Sequence, residues 1–173
     1  MTEKNEIKVN EETGEIITNI QNEEIVQDTE SYTIYKQTDG KFRKEMKYKK
    51  VYTRTPQTEE EMKELFKVFN AHDDDELVKP LALLRGKEFD IINFYTNPYT
   101  SFDEETGKNV NGVTTTIETE NGYVATSSKS VYYTILGLVD VFGYPNTEGY
   151  KPIRVKVVGK KMENGVQINL SLV

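Results

Sequence analysis

Glycine-containing turns recur between runs of alternating polar and apolar residues, and they commit most of this chain to antiparallel pairing. Thr38-Asp39-Gly40 separates residues 31–37 from 41–55, Thr119-Glu120-Asn121-Gly122 separates 113–118 from 123–126, and Asn164-Gly165 lies between 152–159 and 166–173. Asp-Gly and Asn-Gly suit hairpin loops because tight loops need positive φ. Residues 88–96, rich in β-branched and aromatic side chains, read as another strand. Two segments break the pattern. Thr58 and Glu61 form a capping box ahead of Met62, Leu65, Phe66 and Phe69, which share one helical face. Val131, Ile135, Leu138, Val139 and Phe142 recur at helical spacing after Ser127-Ser128 and stop at Gly143. The expected fold is mainly β with two helices, an OB-like antiparallel β-barrel with an extended N-terminal arm. Asn97-Pro98 and residues 103–112 are turn-rich and hydrophilic, which predicts a long, exposed and mobile connection.

The arm is residues 1–30, and the OB-like domain is 31–173. Short β-like runs at 6–9 and 15–20 flank the turn signal Glu11-Glu12-Thr13-Gly14, but large apolar residues are too few to anchor a core. The net charge of −7 at first argues against a polyanionic partner. Its distribution reverses that. Residues 1–30 hold nine acidic groups against Lys4 and Lys8, a balance of −7, so the rest of the chain is neutral. Within that remainder, residues 32–54 carry eight basic groups against Asp39 and Glu45, a balance of +6. The absence of cysteine excludes disulfides, cysteine-based zinc sites and thiol nucleophiles. No apolar run approaches the ~20 residues that span a bilayer, so the expected setting is cytoplasmic, with no membrane partner.

Residues 32–54 thread cations between aromatic rings. By alternation along one long strand, Phe42, Lys44, Met46, Tyr48, Lys50 and Tyr52 share one face, while Lys41, Arg43, Glu45, Lys47, Lys49 and Val51 share the other. A strand laid over a core would confine its charges to one side. Cations neutralise phosphates and flat rings stack on unpaired bases, so this pattern suits single-stranded nucleic acid better than duplex. The candidate contacts are Tyr35, Lys36, Lys41, Arg43, Lys44, Lys47, Tyr48, Lys49, Lys50, Tyr52 and Arg54, with Phe42 and Met46 assigned to the core. The competing assignment sends Phe42, Met46, Tyr48 and Tyr52 to the core and leaves the lysines as a solvated edge that discourages aggregation. Tyr95 and Tyr99 flank the Asn97-Pro98 turn, where exposed rings can stack on bases. Lys129, within Ser127-Ser128-Lys129-Ser130 at a helix start, can hold one phosphate, or the serines are an ordinary cap. Arg154 and Lys156 can extend a basic groove, or face solvent while Val155 and Val157 enter the core.

The basic hairpin, the strand Asn111-Gly112-Val113-Thr114-Thr115-Thr116, the turn Asn121-Gly122-Tyr123-Val124-Ala125-Thr126-Ser127-Ser128 into a helix, and the closing hairpin together resemble OB-fold single-stranded DNA-binding proteins encoded by Gram-positive phages and conjugative plasmids. The resemblance spans residues 31–173. It implies a protein that is not an enzyme and carries no cofactor. Such a protein coats exposed single strands without strong sequence preference during replication or transfer of a mobile element. The implied partner is single-stranded DNA, with RNA as the other candidate strand, and residues 1–30 are the candidate route to a homo-oligomer. The familiar bacterial single-stranded DNA-binding proteins end in a flexible acidic tail, whereas this chain ends in Asn169-Leu170-Ser171-Leu172-Val173 and carries its acidic extension at the other end. That leaves the arm for subunit contact or for competition with DNA at the basic face.

Other chemistries find little support. His72-Asp73-Asp74-Asp75 reads as a solvated helix end, because consecutive side chains cannot all converge on one ion. Asp103-Glu104-Glu105 lacks the alternating oxygen ligands of a calcium loop. The single histidine has no Gly-x-Ser-x-Gly partner, and phosphate-cradling glycine loops are missing. The rival from another class is a structural or interaction protein of a phage or plasmid, whose basic edge hairpin docks onto protein partners.

Overall fold

The computed structural model describes residues 23–71, 76–104, 107–163 and 165–173, together with the backbone at 8–9 and 16–17. The turn expected at 11–14, the acidic run at 72–75, and Glu105 and Asn164 of two expected loops lie outside the described residues. The chain divides into two compact units. The first comprises Met1–Tyr48 and Thr100–Asn111, the second Lys49–Tyr99 and Gly112–Val173.

In the first unit, β1 (Lys8–Val9) and β2 (Ile16–Ile17) pair antiparallel. A three-stranded antiparallel sheet follows, ordered β3 (Glu24–Asp28), β4 (Tyr32–Lys36), β5 (Phe42–Met46). The turn between β4 and β5 falls where Thr38-Asp39-Gly40 predicts it, with Gly40 at φ 82° and its N–H donating to Gln37 O at 2.9 Å. Residues 24–28, read from sequence as part of an arm, instead add an edge strand to β4. All five are exposed, so no apolar pattern announces the strand; backbone pairing forms it. Among the described residues this unit buries no apolar side chain; its buried side chains are polar, Thr33 at 5% exposure and that of Glu23 at 3%.

The second unit holds β6 (Val51–Tyr52), α1 (Glu59–Phe69), β7 (Val78–Pro80), a 3-10 turn (Leu81–Leu84), β8 (Glu88–Ile91), α2 (Lys129–Phe142), β11 (Gly122–Thr126), β12 (Ile153–Met162) and β13 (Gly165–Leu172). Strands β9 (Asn93–Asp103) and β10 (Lys108–Thr119) run from one unit into the other along the chain. One sheet has the order β6-β9-β10-β11-β7, with β7 parallel to β11, and a second has the order β13-β12-β8. No strand pairing among the described residues joins them, so the sheets do not close into the expected barrel. Phe89, Ile91, Phe94, Ile117, Val155 and Val157 meet Val131, Ile135 and Val139 of α2 in the main core. Leu65 and Val68 of α1 close a smaller core over Tyr95, Tyr123 and Val78.

Of the connection expected to be mobile, residues 97–103 and 108–112 instead belong to the strands β9 and β10. Pro98 is tolerated because β6 pairs only with Tyr95 and Thr96, leaving β9 without a donor requirement on that side at 98. The long strand expected over 41–55 breaks into β5 and β6 with an unpaired stretch between. On α1, Thr58 accepts from Glu61 N–H at 3.2 Å as predicted, while Glu61 reaches back to Gln57 N–H at 2.6 Å. Its apolar stripe turns differently from expectation: Leu65 and Val68 are buried, whereas Met62 and Phe66 face solvent. No helix among the described residues is long and apolar enough to cross a membrane.

Candidate nucleic-acid interface

The register of β4 against β5 sorts the first unit's side chains onto two faces of opposite character. Tyr32, Ile34, Lys36, Phe42, Lys44 and Met46 share one face, since Tyr32 pairs with Met46, Ile34 with Lys44 and Lys36 with Phe42. Lys44 Nζ lies 3.9 Å above the Tyr32 ring, and Phe42 is 66% exposed. Glu24, across from Lys36 on the edge strand β3, is the carboxylate nearest to these cations by register. Phe42 is therefore no core residue, and Met46 is only partly buried. Among the described residues of this unit no apolar side chain is buried beneath them.

The other face is neutralised. Glu23, with a side chain only 3% exposed, accepts from Arg43 Nη2 at 2.8 Å, Lys108 Nζ at 3.1 Å and Gln37 Nε2 at 3.1 Å. The Arg43 hydrogen bond, reinforced by Gln37 and Lys108, outweighs desolvation and holds the Glu23 carboxyl down at about 2. Arg43 also reaches Glu45 at 3.3 Å and stacks over Tyr35, its Cζ 4.3 Å from the ring centre. Lys47 Nζ donates to Asp28 Oδ1 at 2.6 Å and Thr29 O at 2.9 Å, and its hydrogen bond with that of Thr33 lowers the Asp28 carboxyl. Lys41 folds onto Asp39 of its own turn at 3.0 Å. Of the cations predicted from residues 32–48, Lys36 and Lys44 keep their charge clear of ion pairs among the described residues, while Lys41, Arg43 and Lys47 do not. Tyr48 is partly buried.

In the second unit, Lys50 Nζ sits 4.9 Å from the Tyr52 ring centre. That ring packs against Phe69 at 5.2 Å and Tyr95 at 6.0 Å, and Tyr52 Oη donates to Asn97 Oδ1 at 3.1 Å. Lys49 is anchored through its backbone, its N–H to Tyr132 Oη at 2.9 Å and its carbonyl to Thr96 Oγ1 at 2.6 Å, with the side chain outward. Arg54 is a clamp, pairing with Glu61 at 2.7 Å and Glu118 at 3.3 Å. Tyr95, expected to be exposed, is 0% exposed, and burial followed by the nearby Glu118 pushes its phenol well above the usual range.

Tyr99 differs. Its ring lies on Gly112, where a Cβ would collide with ring atoms Cζ, Oη at 2.6 Å and Cε2 at 2.7 Å, yet the residue remains 45% exposed. A ring backed by backbone on one side and still partly exposed has surface on which another flat group can stack. Lys129 begins α2 and is exposed, but Ser128 makes no side-chain cap and donates instead to Ile168 O at 2.8 Å. Arg154 is held by Asp90 at 3.1 Å and Glu88 at 3.7 Å, while Lys156 is exposed beside it, with Val155 and Val157 in the core. Among the described residues no three histidine, aspartate or glutamate side chains converge as a metal site would require.

Two features escaped sequence reasoning. Tyr32 and Phe42 join Lys36 and Lys44 on one face, which the Gly40 turn would have revealed had its register been carried across to β4. Glu23 carries no local signal at all, since its partners lie 14, 20 and 85 residues away.

The chain is 33% identical to a "Single-stranded DNA-binding protein" of Bacillus phage GA-1, over 98% of this chain and 95% of that protein. No family model matches the chain. No solved structure matches it.

Proposed function

The chain belongs to the family of phage single-stranded DNA-binding proteins, and on that premise we propose that it holds the strand on the acid-poor face of β4 and β5, coating exposed single strands without strong sequence preference during replication or transfer of a mobile element. Single-stranded DNA is its ligand. The observation that carries the choice of face is the segregation within one hairpin: Lys36 and Lys44 stand with Tyr32 and Phe42, whereas Arg43 and Lys47 are neutralised by Glu23 and Asp28. A phosphate approaching the first face meets cations that make no ion pair among the described residues, and bases meet the exposed Phe42 ring beside the half-buried Tyr32. Tyr99, Lys49, Lys50, Tyr52 and Lys156 are the further candidates on the second unit.

For the second unit's core we keep an OB-like arrangement as a proposal. A five-stranded sheet, a three-stranded sheet and a helix enclose one apolar interior, as a partly open barrel does. Assembly into a homo-oligomer through the acidic N-terminal segment belongs to the same proposal, as does a place in the cytoplasm.

A fluorescently labelled oligothymidylate titrated at low salt tests the function. Binding should be tight, fall steeply as salt rises, protect the strand from nuclease, and exceed that to duplex of equal length. RNA of the same sequence gives the sugar preference. Absence of low-salt binding to the single strand would reject the reading.

A further inference from the structure

Sorting the second unit's arginines by partner leaves one apart. Arg54 and Arg154 are held by carboxylates, but the exposed Arg85 side chain makes no ion pair or hydrogen bond among the described residues. It is nevertheless well anchored. Arg85 has φ −52° and ψ 128°, Gly86 follows at φ 81°, and Lys87 N–H donates to Leu84 O at 2.9 Å, the pattern of a type II turn whose third residue needs positive φ. The turn is stitched to β12, because Gly86 N–H donates to Val157 O at 2.8 Å and Val157 N–H to Lys87 O at 2.9 Å. From there the side chain lies across the strand at Gly159. A Cβ on Gly159 would come within 2.7 Å of Arg85 Nε, 3.1 Å of its Cζ and 2.9 Å of Val166 Cγ1. Lys161, two residues on and exposed, shares that face by alternation and pairs in register with Val166.

We propose that Arg85 and Lys161 form a second contact for the backbone phosphates of single-stranded DNA, and that Gly159 lacks a side chain in order to seat the Arg85 guanidinium. The proposal rests on the single-stranded DNA binding argued above and extends it to a surface outside residues 32–54. A phosphate is the fitting ligand for three reasons. The guanidinium presents several N–H donors in a fixed fork that matches phosphate oxygens. Among the described residues it has no carboxylate to give up on binding, unlike Arg54 or Arg154. Its turn and its seat on Gly159 restrict it beforehand, so less side-chain freedom is lost on binding.

Anisotropy titrations of labelled oligothymidylate over a range of salt test this on the full chain. Each phosphate contact removed from a single strand flattens the slope of log K against log salt by ~0.7. Arg85→Gln and Lys161→Gln should each do so with a several-fold loss of affinity, and the double variant should lose about twice the slope. Arg85→Lys should largely retain the slope. Gly159→Ala should reproduce the Arg85→Gln loss by dislodging the guanidinium, and should add nothing in the Arg85→Gln background. Unchanged slope and affinity in the double variant, with wild-type circular dichroism and melting, overturns the proposal. So does a Gly159→Ala loss of equal size with and without Arg85. If the wild type binds and Lys36 and Lys44 variants weaken it while Arg85 and Lys161 variants do not, only this second contact falls; if the wild type does not bind, the parent reading falls with it.

Discussion

Arg43 and Lys44 are adjacent in β5, yet strand alternation sends one to Glu23 and the other to the ring of Tyr32. Substituting them should therefore have different consequences. Lys36→Gln and Lys44→Gln should each flatten the salt dependence of oligothymidylate binding by ~0.7 with little change in melting. Arg43→Gln should leave Glu23 without its main partner and be read mainly in stability, by chemical denaturation. Tyr95 and Tyr99 make a similar contrast. Both point to the same side of β9 by alternation, so no pattern within the strand separates them. Tyr95 is covered by Phe69 of α1, at 5.4 Å between ring centres, and by Tyr52, whereas Tyr99 lies against Gly112 and stays 45% exposed. If one base stacks on Tyr99, Tyr99→Ala should cost ~1–3 kcal/mol of binding free energy. Gly112→Ala should mimic it by lifting the ring, and an unaltered affinity in both variants would remove Tyr99 from the interface.

At the scale of elements, the backbone-paired sheet β3-β4-β5 is reinforced by charge. It buries no large apolar side chain among the described residues, and Glu23 joins Arg43 of β5 to Lys108 of β10 and to Gln37 after β4. The Glu23 carboxyl is held at about 2 in the fold against 4.5 ordinarily, so its contribution is complete above about 4.5 and is lost as pH falls toward 2. The shift corresponds to on the order of 3 kcal/mol, at 1.36 kcal/mol per pH unit of displacement. Amide hydrogen exchange in β3–β5 should therefore accelerate as pH drops through that window, after correction for intrinsic rates. Glu23→Gln should remove most of that dependence, with Asp28 supplying a smaller one of the same sign. This device was illegible in the sequence because its members are far apart along the chain and none lies in a periodic pattern. The helices and hairpins, by contrast, were legible because caps, turns and periodicity are encoded within a few residues. The strand pair β9 and β10 was misread as a loop because its polar residues and Pro98 carry loop composition, although backbone pairing makes them strands.

For the whole molecule, a net charge of −7 is compatible with a polyanionic ligand because the charges are segregated along the chain and then partly cancelled in place. The sheet contact of residues 23–28 also separates two roles for the N-terminal segment. Removing residues 1–22 should reduce oligomer size in light scattering if that segment mediates assembly, while leaving hydrogen-exchange protection in β4 and β5 intact. Removing 1–30 deletes Glu23 and Asp28 as well and should lower that protection, whatever happens to assembly. Equal protection after both truncations would mean that β3 contributes nothing to the first unit. The sequence alone determined the mainly β composition, the two helices, the hairpin positions and the clustering of cations in residues 32–54, because propensity, turn chemistry and charge are local properties. Only the tertiary structure decided which of those cations remain available to phosphate. Arg43 meets Glu23 across 20 residues, Lys47 meets Asp28 across 19, and Arg54 meets Glu118 across 64. Neutralisation depends on distance in space, and no reading along the chain supplies it.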